Sequence, residues 1–327
     1  MGGRRPRGPG PTGPRSRGAG AGGGRRLASG RTGRPDRRGC VSILARFFPP
    51  APEPGRPGDP GLFGPHTVAW RLARERSIVA GGPAALLLQV AHPLVGEGVR
   101  AHSDFTSDPL QRLRGTLDAV LRVTFGDHAQ VQAAAGHVAG KHRPVRGVLP
   151  HDAASMAAGT SYSAFDPELA LWVFSTLVWT AIEVTDSFLR PVGPEERTAY
   201  YRDMRRLGNV FGVPDALLPD DYDGLARYVE GQVRAVLDVG PTARLIARQI
   251  LAPAPPIVPW PLRPVPSVLA AGVLPVALRQ AYGLPWRRRE RVVFAVARRT
   301  ARVVVPILPA RVRFWPHYRV ARSRLGL

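Results

Sequence analysis

The sequence predicts an all-α protein with one large helical domain. From Gly64 onward, apolar residues recur at intervals of three and four in several long segments, which is the period of a helix with one buried face. None of these segments alternates apolar and polar residues between hairpin turn signals, as a half-buried strand would. Hydrophobic residues make up 44% of the 327 residues, which is enough for a substantial core.

Residues 1–63 differ from the rest because Gly, Pro and Arg dominate them. Such a composition buries too little apolar surface to offset chain entropy, so we predict that this segment is disordered. It has basic residues but no apolar core of a secretory signal, and its Cys40 is the single cysteine of the sequence. We therefore expect a cytoplasmic protein whose folded domain spans residues 64–327, with a proline-rich internal connector at about 252–266.

The positive charge lies at the two ends of the chain. Of the formal net charge of +22, residues 1–60 carry +10 and residues 285–327 carry +11, so the middle is nearly neutral. A basic surface suits an anionic partner such as nucleic acid or an acidic membrane. Arginine supplies 45 of the 46 basic residues beside abundant Gly and Pro, which is also the composition that a GC-rich genome produces at tolerant positions. We therefore do not expect specific nucleic-acid binding.

Two apolar segments predict buried helices. The run PAALLLQVAHPLV, residues 83–95, is apolar nearly all round and too short to span a bilayer. The run ELALWVFSTLVWTAIEVTDSFL, residues 168–189, approaches membrane length but carries Glu168, Glu183 and Asp186. We favour a core helix over a transmembrane segment for this second run.

The helix between these two runs is predicted to begin with Asp108 as N-cap and to end at Gly126. Its buried stripe consists of Leu110, Leu113, Leu117, Val120, Leu121 and Thr124. Arg112 and Thr116 are four residues apart and share a face beside that stripe. The spacing alone is also explained by two solvated surface residues.

The following helix carries three histidines and is expected to be capped by Asp127. Val131, Ala135, Val138 and His142 follow at intervals of four, three and four, so His142 should lie at the end of an inward apolar stripe. His137 is turned roughly 140° away because each residue advances an α-helix by ~100°. An inward histidine is either a hydrogen-bonded core residue or a ligand, and the spacing leaves both interpretations open.

Enzyme motifs and the C-terminal charge pattern limit the remaining choices. The folded part has no HExxH, GxSxG, P-loop or strand-borne GxGxxG, so zinc peptidase, hydrolase, kinase and nicotinamide-dependent interpretations lack support.

Near the C-terminus two sets of residues lie on opposite sides of one predicted helix. They are Val292, Val293, Val296 and Val303 on one side, and Arg287, Arg288, Arg291, Arg298 and Arg302 on the other. Such a helix either rests on anionic lipid or packs on the domain with its arginines in solvent, and the second interpretation is the simpler.

Several segments, in this order, resemble a known family. They are LLLQVAHPLVGEGVRAHSDFTSDPLQRLRGTLDAVLRVTFGD, HVAGKHRPVRG, YYRDMRRLGNVFGVP and LPARVRFWPHYRVARSR. Together they resemble the catalytic domain shared by latex clearing protein, a rubber oxygenase, and the membrane-associated oxygenase of mycophenolic acid biosynthesis, over about residues 65–325. The resemblance implies a globin-like all-α core that binds haem b and uses dioxygen on an apolar, terpenoid- or lipid-like substrate. A haem-binding or gas-sensing protein without catalysis and a basic peripheral membrane protein are the alternatives.

The resemblance also implies the proximal side of a haem site. His142-Arg143-Pro144-Val145-Arg146 matches the HxxVR motif that holds the iron in rubber-cleaving members. His142 is therefore expected to be the iron ligand, and Arg146 to belong to the cofactor-binding motif.

On the distal side, Arg112 and Thr116 match an arginine and a threonine that would donate hydrogen bonds to the reacting oxygen. A distal glutamate acts as a base in the family's mechanism, and Glu97 is the candidate for this role. Gly115 departs from the pattern because rubber oxygenases can carry a lysine there that caps the iron. A lysine cap is therefore not expected at this position.

Overall fold

The structure is a computed structural model that describes residue 2 and residues 48–103, 109–252 and 264–327, without the side chains of residues 109–113. The chain divides into two compact units, Met1–Val41 and Ser42–Leu327, and the helical fold belongs to the second. The predicted disorder before residue 48, the predicted N-cap Asp108 and most of the predicted connector at 252–266 lie outside the described residues.

The described residues form fourteen α-helices and one small two-stranded sheet, which confirms the predicted all-α class. In chain order the helices are α1 (Val68–Ala73), α2 (Gly82–Ala91), α3 (Pro93–His102), α4 (Pro109–Phe125), α5 (His128–His142), α6 (Pro167–Val184), α7 (Pro194–Val210), α8 (Tyr222–Ala235), α9 (Pro241–Leu251), α10 (Pro264–Val273), α11 (Val276–Ala281), α12 (Arg288–Ile307), α13 (Ala310–Arg313) and α14 (Pro316–Arg324). The antiparallel strands are β1 (Arg146–Val148) and β2 (Ser161–Ser163), with Gly147 opposite Tyr162. These strands were not predicted, because strands of three residues are too short to show alternation.

Helix α6 lies in the core of the fold. Trp172, Val178 and Ile182 are fully buried on it, and it packs against α2, α7 and α8. Among the described residues, Pro167–Leu189 is the one continuous helix long and apolar enough to cross a membrane, and the bent pair Arg76–Ala91 and Pro93–His102 passes the same test as a broken span. Because 61% of the α6 span is buried inside the protein, we interpret it as a core helix.

Residues 48–63 pack on the helical domain, which differs from the predicted boundary at residue 63. Phe63 is fully buried, and the guanidinium of Arg324 donates a hydrogen bond of 2.8 Å to the carbonyl oxygen of Asp59. Gly61 has φ +68° and approaches the Gly126 carbonyl oxygen so closely that a Cβ would overlap it. The composition of residues 48–63 did not predict this packing, because the segment is held by backbone and side-chain hydrogen bonds more than by apolar residues.

Capping residues define the two helices that carry most of the predicted site. Helix α4 ends at Phe125, one residue before Gly126, as predicted. Asp127 caps α5 as predicted: its carboxylate accepts a hydrogen bond of 2.7 Å from the backbone N–H of Gln130. The Gln130 side-chain oxygen accepts one of 3.1 Å from the backbone N–H of Asp127, which completes a capping box. The two helices are therefore joined by only two residues.

Candidate functional site

Helices α4 and α5 form a helical hairpin that carries three of the predicted site residues, Arg112, Thr116 and His142. The helices pack against each other, and Gly126 and Asp127 connect them. Arg112 on α4 and His142 on α5 each lie roughly 20 Å from this connection, at ~1.5 Å per helical residue. The positions of Arg112 and Thr116 on α4 and of His142 on α5 are therefore all in the halves of the two helices toward the open end of the hairpin, which is the end away from the connection.

The inner faces of the hairpin change from buried to exposed toward that end. Val123 on α4 and Val131 on α5 are 0% and 6% exposed. Thr116 lies two turns before Val123 on the same side of α4 and is exposed, and His142 lies three turns after Val131 and is also exposed. The prediction that His142 faces the interior is therefore wrong in this structure. The helix extends beyond the core, so its inward side is no longer covered at its last turn.

His142 is the last residue of α5, and β1 begins four residues later, at Arg146. Its carbonyl oxygen accepts a hydrogen bond of 2.9 Å from the backbone N–H of Val145. Arg146 follows as the first residue of β1, opposite Ser163, and its side chain is exposed. The HRPVR sequence thus forms a helix end and a turn.

A polar cluster at the end of α3 adjoins this turn. Glu97 is buried, and its carboxylate accepts hydrogen bonds of 2.6 and 2.8 Å from Arg100, which raise the pKa of that guanidinium. Burial raises the pKa of the Tyr162 hydroxyl, and the negative charge of Glu97 raises it further. The His102 Nε2 lies 3.4 Å from the Tyr162 hydroxyl and 3.1 Å from the Arg146 carbonyl oxygen. The cluster therefore links α3 to the β1–β2 hairpin.

Gly98 shows how closely α3 approaches the turn after His142. A Cβ built on Gly98 would lie 3.4 Å from Val145 and 3.5 Å from the Tyr162 ring. Arg100 and Tyr162 were not predicted as site residues. The spacing of Glu97 and Arg100, three residues apart on a helix, is a signal for their ion pair. No local signal points to Tyr162, because its neighbours on α3 lie some 60 residues away in sequence.

Comparison with known proteins identifies the family. The model of the family described as ER-bound oxygenase mpaB/B'/rubber oxygenase, catalytic domain, matches residues 70–303. The chain belongs to this family. The match confirms the resemblance seen in the sequence and supports an oxygenase activity.

Two relatives and one solved structure are also similar to this chain. The uncharacterized proteins Rv2237 of Mycobacterium tuberculosis and Mb2261 of Mycobacterium bovis are each 28% identical over 238 residues, which cover 70% of this chain and 89% of the relative. The structure of latex clearing protein LCP in the closed state shows a TM-score of 0.46 and 15% identity, over 90% of this chain and 80% of that one.

The other histidines of this oxygenase-family domain have different surroundings. His128 is exposed, and its Nδ1 lies 2.6 Å from Asp59 Oδ1. His137 is exposed on the side of α5 away from Val131, as its position in the sequence predicted. His92 is buried, and burial lowers its pKa to about 4. Within the described part of the chain, no group of three or more His, Cys, Asp or Glu residues is placed to hold a metal ion.

The donor chemistry at the open end of the hairpin fits a haem. Iron in a haem takes one or two axial ligands from the protein, because the macrocycle supplies the other four nitrogens. His142 offers an imidazole there, and the exposed Arg143 and Arg146 offer cations for the two carboxylates of the group. The half-buried Val120 on α4 and Val138 on α5 add apolar side chains to the two helices.

Proposed function

We propose that this chain is a haem b-dependent oxygenase that acts with dioxygen on an apolar, terpenoid- or lipid-like substrate. The observation that supports the proposal is the match of residues 70–303 to the oxygenase family, together with the positions of Arg112, Thr116 and His142, which lie in the halves of α4 and α5 away from their connection. A haem bound at this end would supply the iron that activates dioxygen. Location in the cytoplasm is part of the same proposal.

On the proximal side, we assign His142 as the ligand and Arg146 as a contact for the cofactor. His142 is the last residue of α5, and the turn to β1 is fixed by the hydrogen bond from the backbone N–H of Val145 to the His142 carbonyl oxygen. The position of this backbone oxygen is therefore set by the fold. Arg146 is held in register by β2, so its exposed guanidinium projects from a defined strand next to the ligand.

On the distal side, Arg112 and Thr116 would donate hydrogen bonds to the reacting oxygen. Such donors stabilise negative charge best in a water-poor site. The exposed Thr116 lies on the open inner side of α4. A Cβ at the neighbouring Gly115 would meet nothing within 4 Å, so this position leaves room beside the donors for a substrate. The apolar character of the hairpin's inner faces favours an apolar substrate.

Glu97 has two candidate roles, catalytic base and positioning residue. Its carboxylate is buried, and each of its two oxygens accepts a hydrogen bond from Arg100, one from Nε and one from Nη2, so both oxygens that a base would use are already engaged. Glu97 as the catalytic base therefore requires Arg100 to move. The alternative is a positioning role, in which Glu97 and Arg100 hold the end of α3 against Tyr162 and the turn after His142.

The absorption spectrum of the full chain, expressed with haem supply, tests the proposal. We expect a Soret band in the parent protein that is lost or shifted in His142→Ala. His137→Ala is the matched control, since His137 is exposed on the opposite side of the same helix and its loss should leave the band unchanged. A folded parent that takes up no haem, or equal changes in both variants, would overturn the assignment.

Dioxygen uptake then separates an oxygenase from a haem protein without catalysis. With an alkene-bearing apolar probe such as squalene, we expect uptake that depends on both the probe and the haem-loaded protein. A haem-loaded protein that shows no uptake with any apolar alkene of a terpenoid and fatty-acid panel would favour gas sensing or storage.

A further inference from the structure

Helix α12 carries a row of exposed apolar side chains along its outer side. Val292, Val296, Val303 and Ile307 are spaced by four, seven and four residues, which places them on one stripe of an α-helix. Their exposed fractions are 54%, 58%, 62% and 76%. None of the twenty residues of α12 is fully buried. The stripe therefore consists of two exposed apolar pairs, Val292 with Val296 and Val303 with Ile307, and the exposed Arg299 and Thr300 lie between them.

The inner side of the same helix is anchored on the protein. Phe294 packs edge-on against Phe188 with ring centroids 5.5 Å apart, and Ala301 contacts the buried core. The guanidinium of Arg302 donates hydrogen bonds of 2.6 and 3.1 Å to the carbonyl oxygens of Asp186 and Ser187. These contacts fix the rotation of the helix about its axis. The apolar stripe consequently points away from the domain.

A row of arginines runs along one flank of the stripe. At ~100° per residue, this flank of α12 is formed by Arg288, Arg291, Arg298, Arg299 and Arg302. All of these except Arg302 are exposed. Glu290 is the one acidic residue of α12, and residues 285–327 together carry a net charge of +11. The outer surface therefore combines an apolar stripe with dense positive charge.

We propose that α12 lies flat on an anionic lipid bilayer. The valine and isoleucine side chains would enter the boundary between headgroups and acyl chains, and the flanking arginines would contact the anionic headgroups. Helices that lie in the membrane interface combine an apolar stripe with adjacent cations in this way. They bind the membrane through burial of the apolar side chains and through electrostatic attraction to anionic lipids. The inference is independent of the haem assignment, since no residue of the α4–α5 hairpin takes part.

The charges of α12 also indicate which environment its outer side fits: a second copy of the chain, the membrane interior or an anionic surface. A second copy of the chain would place two rows of arginines against each other, which opposes self-association. A transmembrane orientation is excluded for α12 because its six arginines, Arg288, Arg289, Arg291, Arg298, Arg299 and Arg302, would enter the hydrocarbon. An anionic surface satisfies both features of the helix at once.

Vesicle co-sedimentation of the full chain tests the inference. The vesicles are phosphatidylcholine with and without phosphatidylglycerol, at about 0.05 M and about 0.5 M salt. We expect pelleting with the anionic vesicles at low salt and much less with either neutral vesicles or high salt. Val296→Glu/Val303→Glu should weaken binding more than tenfold, because it removes two inserted side chains and adds negative charge. Arg291→Gln/Arg298→Gln should weaken binding about fivefold for each arginine removed.

The control is Leu217→Glu/Leu245→Glu, which replaces two exposed leucines outside α12 and changes the net charge equally. It should retain binding within about threefold, because two distant charges are largely screened. Because all four positions are exposed, circular dichroism should show unchanged folding in both variants. The inference is overturned if the parent fails to pellet with anionic vesicles, or if both double variants lose binding equally. A parent dimer that Val296→Glu/Val303→Glu converts to monomer would assign the stripe to a second copy instead.

Discussion

The buried carboxylate of Glu97 and the guanidinium of Arg100 form a two-point ion pair in which only one partner is withdrawn from water. The two hydrogen bonds measure 2.6 and 2.8 Å. The Glu97 side chain is 6% exposed, whereas that of Arg100 is 46% exposed. Glu97 therefore depends on Arg100 for the satisfaction of its charge, but Arg100 can be solvated without Glu97.

This asymmetry predicts different costs for removing each partner. Arg100→Gln leaves a buried carboxylate without its cation and should lower the free energy of unfolding by about 1–3 kcal/mol. Glu97→Gln leaves an arginine that reaches solvent and should cost less than about 1 kcal/mol. Urea denaturation of both variants measures the difference. Equal costs would mean that Glu97 is hydrated in solution.

The same two variants separate the two roles proposed for Glu97. If Glu97 is the catalytic base, Glu97→Gln abolishes turnover while haem content and substrate affinity stay near those of the parent. If Glu97 is a positioning residue, Arg100→Gln impairs turnover as much as Glu97→Gln does, because either change releases the end of α3.

The distal assignment predicts a selective loss in Arg112→Ala. Removing a donor to the reacting oxygen should reduce dioxygen affinity or turnover by about 10²-fold and leave haem content nearly unchanged. Thr116→Val should act in the same direction. Arg114→Ala is the matched control, because residue 114 lies on another side of α4. A parallel loss of haem in Arg112→Ala would show that this arginine is structural.

Local signals in the sequence were sufficient to predict the two helices that carry most of the candidate site residues. Pro109 and Gly126 mark the ends of α4, and the capping residue Asp127 marks the start of α5. These boundaries place Arg112 and Thr116 in the first half of α4 and His142 at the end of α5.

Burial and long-range contacts were not predictable in the same way. The period of α5 correctly puts His142 on the side of Val131, but periodicity does not say where the core ends along a helix. Tyr162 joins the cluster of Glu97 through a turn and two strands of three residues, which have no pattern of their own. Residues 48–63 are poor in large apolar side chains, and their packing depends on hydrogen bonds with partners such as Arg324.

The packing of that N-terminal segment predicts contrasting effects at two glycines. Gly58 and Gly61 both have positive φ, +78° and +68°. An added Cβ at Gly58 meets nothing within 4 Å, whereas at Gly61 it overlaps the carbonyl oxygen of Gly126. Gly58→Ala should therefore cost only the backbone strain of about 1–2 kcal/mol. Gly61→Ala should cost clearly more, as measured by thermal unfolding. Similar costs for both would contradict the contact between this segment and the hairpin connection.

His92 lies buried at the bend between α2 and α3. Its Nδ1 has no hydrogen-bond partner among the described residues, and burial lowers its pKa to about 4, although Asp166 favours the charged form. The unfolded chain, with a pKa of about 6.5, thus binds a proton more readily than the folded protein. The contribution of neutral His92 to stability is therefore complete above pH 6.5 and is lost as the pH falls toward 4.

By pH 4 this loss should reach about 3 kcal/mol. His92→Asn cannot titrate and should flatten the dependence of the unfolding free energy on pH across this window. His137→Asn removes an exposed histidine and should retain the slope of the parent. Urea denaturation at several pH values between 7 and 4 measures all three proteins. If the slope survives in His92→Asn, then another group binds the proton on unfolding, and the buried His317, whose pKa is also lowered by burial, is the next to replace.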